Sequence, residues 1–144
     1  MFVFISKFLI MAFIQPCFIQ KCTPALIEKL VGIGYKIVGK ATLSLGRYGI
    51  FCNDGKIKIC STNEQPSIKD KDFIQCYDNE GLFLALASMT DIEYGLTDYY
   101  IVTKDSLRYE KGSLHRALPL SSGIHPSCYR KATVEEIIEH FKKD

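Results

Sequence analysis

Hydrophobic and polar positions recur along this chain with changing periods, and each change marks an element. The first 20 residues hold 15 apolar residues and one charge, Lys7. A membrane-spanning helix needs about 20 apolar residues, but Lys7 and Gln15-Pro16 interrupt this stretch, and its clean run, residues 8–14, is seven long. That length suits a signal-peptide core of about 7–15 residues. A signal also needs a basic start and small residues before the cut, where Phe18, Ile19 and Gln20 stand instead. Ile14, Gln15 and Pro16 are likewise poor predecessors for a lipoprotein Cys17. The strand-prone Phe13, Ile14, Cys17, Phe18 and Ile19 therefore predict a buried strand within residues 12–19, with Pro16 at an edge position or bulge. Met11 offers an alternative start, which leaves residues 1–10 as an apolar extension.

The period then changes to that of a helix. Thr23-Pro24 pairs a hydroxyl cap with proline at the first helical position. Leu26, Ile27, Leu30 and Val31 form an apolar stripe, and Gly34 is the expected left-handed cap. Short strands follow at 35–38 and 41–45. Residues 48–52 and 56–60 make a hairpin around Asp54-Gly55, with Cys52 facing Ile57 and Ile50 facing Ile59. Ile57 and Ile59 alternate with Lys56 and Lys58, so one face is expected buried and one wet. Residues 61–72 are polar and read as a loop, and 73–77 as a strand. Asp78 or Asn79 caps a helix over 80–89 that is apolar nearly all round, hence central to a core. Residues 99–103 read as a strand paired with 106–109, and 112–127 as mostly irregular. Thr133 and Glu136 form a capping box for a last helix with Val134, Ile137, Ile138 and Phe141 inward. The fold expected is α+β: a mostly antiparallel sheet with about three helices packed on it, one domain over 11–144.

Composition narrows the classes. Of 144 residues, 47% are hydrophobic and 24% charged, which excludes a disordered chain. The net charge of +2 is unevenly spread. Residues 21–72 hold nine basic and five acidic residues, 73–105 one and six, and 106–144 seven and five. With a pI near 8.2 and no run of five like charges, general nucleic-acid binding is not expected. The six cysteines are widely spaced, and Cys52 and Cys60 fall on opposite faces of the hairpin, so reduced, scattered thiols are expected.

No motif fixes a reaction. The phosphate-binding glycine patterns and the G-x-S-x-G elbow are absent. His115, His125 and Cys128 lack the paired knuckles of a zinc site, and neither metal nor cofactor is expected. The most suggestive region is 113–131. His115, Arg116, Ser121, Ser122, His125, Tyr129 and Arg130, with Gly123 and Lys131, are donors that could hold a phosphate or another anion. Tyr77, Tyr94, Tyr99, Tyr100 and Tyr109 crowd the preceding stretch, and such rings serve in contact surfaces or stack bases.

Several segments together carry a resemblance. Residues 13–19 (FIQPCFI), 23–30 (TPALIEKL) with Gly34-Tyr35, 79–87 (NEGLFLALA) and 131–141 (KATVEEIIEHF) resemble a family of small uncharacterised proteins of phages and prophages of gut bacteria. The resemblance implies a cytoplasmic accessory protein, a start near Met11 and no catalytic residues. The expected function is non-enzymatic binding: antagonism of host defence by contact with a host protein, or by sequestering a small nucleotide-like anion, with a homo-oligomer left open. Two alternatives stand beside it. One is a small enzyme acting on a phosphorylated or nucleotide substrate through His115, His125 and Cys128. The other is an exported or membrane-anchored protein led by residues 1–20.

Overall fold

The computed structural model describes residues 13–38, 48–61, 72–91, 97–105, 109–116 and 125–142. In chain order these form β1 (Cys17–Ile19), α1 (Pro24–Gly32), β2 (Lys36–Val38), β3 (Tyr48–Asn53), β4 (Lys56–Ser61), β5 (Ile74–Gln75) and α2 (Glu80–Ala87). There follow β6 (Tyr99–Val102), β7 (Leu114–Arg116), a 3₁₀ turn (Pro126–Cys128), β8 (Tyr129–Lys131) and α3 (Val134–Lys142). Among the described residues, three helices and two mostly antiparallel sheets make an α+β fold. The chain divides between Asp91 and Ile92 into two compact units. The expected strands at 41–45 and 106–108, the loop 62–71 and residues 1–12 lie outside the described residues.

In the first unit the strands lie in the order β2-β4-β3-β1-β5. β1 pairs antiparallel with β3, Phe18 opposite Phe51, and parallel with β5. The apolar segment is thus a sheet strand as expected, but an interior one. Pro16 is on neither an edge nor a bulge: it stands just before the strand, where no ladder N–H is required, and its carbonyl accepts the Ile74 N–H at 3.1 Å.

The local signals act as their chemistry requires. Thr23 Oγ1 accepts the Leu26 N–H at 3.2 Å. At the other end Gly34 has φ 120°, and the N–H groups of Gly34 and Tyr35 reach back to the carbonyls of Val31 and Leu30, a Schellman closure. The apolar stripe is narrower than expected: Leu26 and Leu30 are buried, while Val31 is exposed. In the hairpin, Asp54 and Gly55 have φ of 53° and 77°. These positive values match a type I′ turn, which sets the expected register of Cys52 opposite Ile57 and Ile50 opposite Ile59.

Cys17, Ile19, Ile50, Cys52 and Ile57 share a buried face of this sheet. The Cys17 thiol points at the Phe83 carbonyl of α2, 3.8 Å away. Asn79 alone, rather than Asp78, caps α2, accepting the Leu82 N–H at 3.0 Å. α2 is apolar nearly all round and central, with Leu82, Phe83, Ala85, Leu86 and Ala87 buried. The opposite sheet face is not simply wet, which corrects the alternation argument. Phe18, Phe51 and Cys60 are buried there against Phe73, whose ring meets both phenylalanines edge-on. The lysines of β4 flank this second cluster rather than define the face.

The second unit is built on the order β7-β6-β8, antiparallel throughout. β6 takes its partners from 114–116 and 129–131. The region read as irregular therefore contributes a strand, and Tyr109 lies outside any strand. The capping box of α3 closes as expected: Thr133 Oγ1 accepts the Glu136 N–H, and Glu136 Oε1 accepts the Thr133 N–H. Ile137 is fully buried, and Phe141 meets Tyr99 edge-on at 5.9 Å.

Candidate functional site

Residues 113–131 hold most of the polar side chains with a candidate role, and the second sheet determines where they point. Directly opposed residues share a face and neighbours along a strand alternate. Tyr100 is opposite both His115 and Lys131, and Val102 is opposite Tyr129. His115, Tyr129 and Lys131 thus share one face with the buried Tyr100 and Val102. Tyr99 is opposite Arg116, and Ile101 is opposite Arg130. Both arginines therefore lie on the other face, the one that meets α3 through Tyr99. The set that looks like one donor cluster in sequence is divided between two sides of a sheet. Ser121, Ser122 and Gly123 lie outside the described residues.

Arg130 is committed to the fold. Its guanidinium donates to both carboxylate oxygens of Glu136, 2.7 Å each, a fork that fixes its plane. That pairing, before the bonds from Thr133, holds the Glu136 carboxyl down at about 2. Arg130 also donates to the Lys131 carbonyl at 3.1 Å. Lys131 pairs with the buried carboxylate of Asp98 at 3.5 Å. Two of the cations expected to meet an anion are thus held against carboxylates of the chain itself, and the third described one, Arg116, is exposed at the end of β7.

The histidines are bound by their neighbours. The Ser113 hydroxyl donates to the Glu110 carbonyl at 2.6 Å, so its oxygen accepts from His115 Nε2–H at 2.9 Å. A serine whose proton is directed to a carbonyl is not one whose proton a histidine removes. Tyr109 stands edge-on to the His115 ring, centroids 5.0 Å apart. His125 caps the 3₁₀ turn: its Nδ1 accepts the Ser127 N–H at 3.1 Å and faces the Ser127 hydroxyl at 2.8 Å. Among the described residues no group of three or more His, Cys, Asp or Glu could hold a metal ion, so His115, His125 and Cys128 do not form one. Tyr129 stands edge-on to the Tyr100 ring at 5.7 Å.

Sequence reasoning missed Asp98, Tyr109, Glu110 and Ser113 as the partners of these groups. The Glu136 partner of Arg130 was visible in the capping box, but only as a helix signal. Three thiols of the first unit, Cys17, Cys22 and Cys76, are poorly suited to act as nucleophiles. Burial raises Cys22, pushes Cys76 up to about 12 and carries Cys17 well above the thiol range. Among the described residues no helix is long and apolar enough to cross a membrane. Comparison with protein-family models, with curated proteins and with solved structures finds no match to this chain.

Proposed function

We propose that the chain is a non-enzymatic accessory binding protein of phage or prophage type, acting on a host protein to blunt host defence. One observation carries the reading. Among the described residues, most of the polar groups that could have performed chemistry or gripped a small anion are engaged within the fold, with Arg130 on Glu136, Lys131 on Asp98 and Ser113 on Glu110, while Arg116 stands exposed. Large apolar side chains stand exposed elsewhere: Val31, Ile37 and Val38 are 48%, 39% and 49% accessible. Exposed apolar groups beside polar ones are the usual material of protein contact surfaces.

The test is a calorimetric titration of the full chain with inorganic phosphate, mononucleotides and cyclic nucleotides, beside crosslinking in the bacterial host. The expectation is no heat of binding up to high micromolar ligand, and one host protein crosslinked in stoichiometric amount. Saturable micromolar nucleotide binding would replace this reading with capture of an anionic signal. Alanine at His115, His125 or Cys128 should leave protection in a host-defence assay unchanged. A loss from one of them, in a chain that still folds, would restore the enzymatic alternative.

A further inference from the structure

Among the described residues β2 terminates the five-stranded sheet, and all three of its residues are exposed. Its register on β4 is parallel, with Lys36 beside Lys56, Ile37 beside Ile57 and Val38 beside Lys58. The Lys36 N–H bonds the Gly55 carbonyl at 2.9 Å. In a parallel ladder, residues that bond the neighbouring strand alternate with residues whose N–H and C=O point the other way. Lys36 and Val38 therefore turn their backbone groups toward β4, and Ile37 turns its pair toward the open edge. An edge of this kind is a ready template for another strand.

The surface beside the edge is positive. Lys36 and Lys56 occupy one register position and Lys58 lies two residues further on the same face, all three exposed. Among the described residues, the ion pairs Lys21–Glu80, Arg130–Glu136 and Lys131–Asp98 include none of them. The only carboxylate in residues 48–61 is Asp54, in the hairpin turn. Edge lysines commonly serve to repel unwanted strands, and Lys36 alone would suit that purpose. Lys56 and Lys58 stand one strand inward, where they block nothing, and the edge strand itself presents Ile37 and Val38.

We infer that the open β2 edge and the adjoining face of Lys36, Lys56 and Lys58 dock an extended acidic strand of a partner protein. This deepens the protein-binding reading and rests on it. An added strand bonds the outward N–H and C=O of Ile37. Its alternate side chains then fall on two faces: carboxylates over the three ammonium groups, and apolar groups beside Ile37 on the face of Ile57. A nucleic-acid backbone would answer the lysines but not the edge amide or the exposed aliphatic groups.

The probe is a short peptide alternating glutamate and valine, titrated into the full chain by fluorescence anisotropy, with amide exchange followed at Ile37. A lysine–valine peptide and a single-stranded DNA oligonucleotide serve as controls. The expected result is saturable binding of the acidic peptide alone, slower exchange at Ile37, and weakening with salt, since exposed charges are screened beyond about 8 Å at physiological ionic strength. Each of K36E, K56E and K58E should weaken binding roughly two- to fivefold, and the three together should abolish it. Ile37→Pro removes the outward N–H and leaves the β4 ladder bonds in place, so it too should abolish binding. The lysine variants keep the test open if that proline unfolds the edge. Equal binding of both peptides, binding of the oligonucleotide alone, or unchanged Ile37 exchange overturns the inference. If the crosslinked host protein is still captured by the triple variant, the docking site is wrong and the binding function stands. If the peptide binds and no host partner is found, the function fails and the site stands.

Discussion

Gly49 is a glycine because a ring lies across it. A Cβ there would be 2.5 Å from Cζ of Phe18 and 2.6 Å from the Ile19 carbonyl oxygen. The second of these is backbone and cannot swing aside. Gly49→Ala should therefore destabilise the chain by about 1–3 kcal/mol, the usual cost of overpacking. Urea unfolding would show this as a lower midpoint at constant slope, and an unmoved midpoint would mean that β1 can shift away from β3. Tyr35 presents the opposite case, a polar atom that the core needs. It is buried and stacked on Phe13 at 4.2 Å, and its hydroxyl donates to the Ala87 carbonyl at 2.6 Å. Tyr35→Phe keeps the ring and strands that carbonyl, for a loss of about 1–3 kcal/mol. Burial, then the neighbouring Cys52 and Cys17, raises the phenol far above its ordinary value. A raised native pKa contributes stability below the unfolded value of about 10 that is lost as pH rises beyond it. Alkaline unfolding should accordingly begin later in Tyr35→Phe, relative to its own neutral stability, than in the parent.

At the level of elements, α3 joins local and tertiary signals in one carboxylate. Glu136 closes the capping box on Thr133 and receives the Arg130 fork. Arg130 is the main reason that its pKa stands at about 2, against about 4.3 in an unfolded chain. A depressed native pKa contributes stability that is present above the unfolded value and lost as pH falls through the native one. Glu136→Gln can still reach the Thr133 N–H and so isolates the charge. Its thermal midpoint should fall less steeply than the parent's between about pH 4.3 and pH 2, and parallel curves would show that Arg130 contributes nothing net. The elements with chemical punctuation were legible in sequence: Thr23-Pro24 and Gly34, Asn79, the capping box, and Asp54-Gly55 with its register. β7 and β8 were not. Leu114–Arg116 and Tyr129–Lys131 are mostly polar and lack the apolar, β-branched run that marks β1 and β2, and each is held by pairing with the distant β6 rather than by its own pattern. The candidate site was lost for the same reason. Nearness along 113–131 was visible, but the alternation that sends His115 and Tyr129 to one face and Arg116 and Arg130 to the other follows from the pairing with β6.

For the molecule as a whole, the thiols link composition to architecture. Six cysteines in 144 residues suggested a disulfide framework only if the chain could not otherwise build a core. None of the six forms a disulfide, and five of them, Cys17, Cys22, Cys52, Cys60 and Cys76, are buried in the first unit, while Cys128 is partly exposed in the second. They occupy both faces of the larger sheet, Cys17 and Cys52 on one and Cys60 on the other, so they behave as small apolar side chains distributed through that unit's packing. Thiolate is the reactive form, and burial disfavours it at Cys17, Cys22 and Cys76. A disulfide reagent added to the native chain should therefore modify one thiol rapidly, and Cys128→Ser should remove that phase. The remaining five should react slowly and together, at a rate that rises with denaturant as the first unit opens. That slow phase would report the stability of the first unit alone, since it holds all five. A second rapid thiol in Cys128→Ser would locate a part of the sheet that opens independently, and Cys60, on the face opposite α2, would be the first to replace by serine.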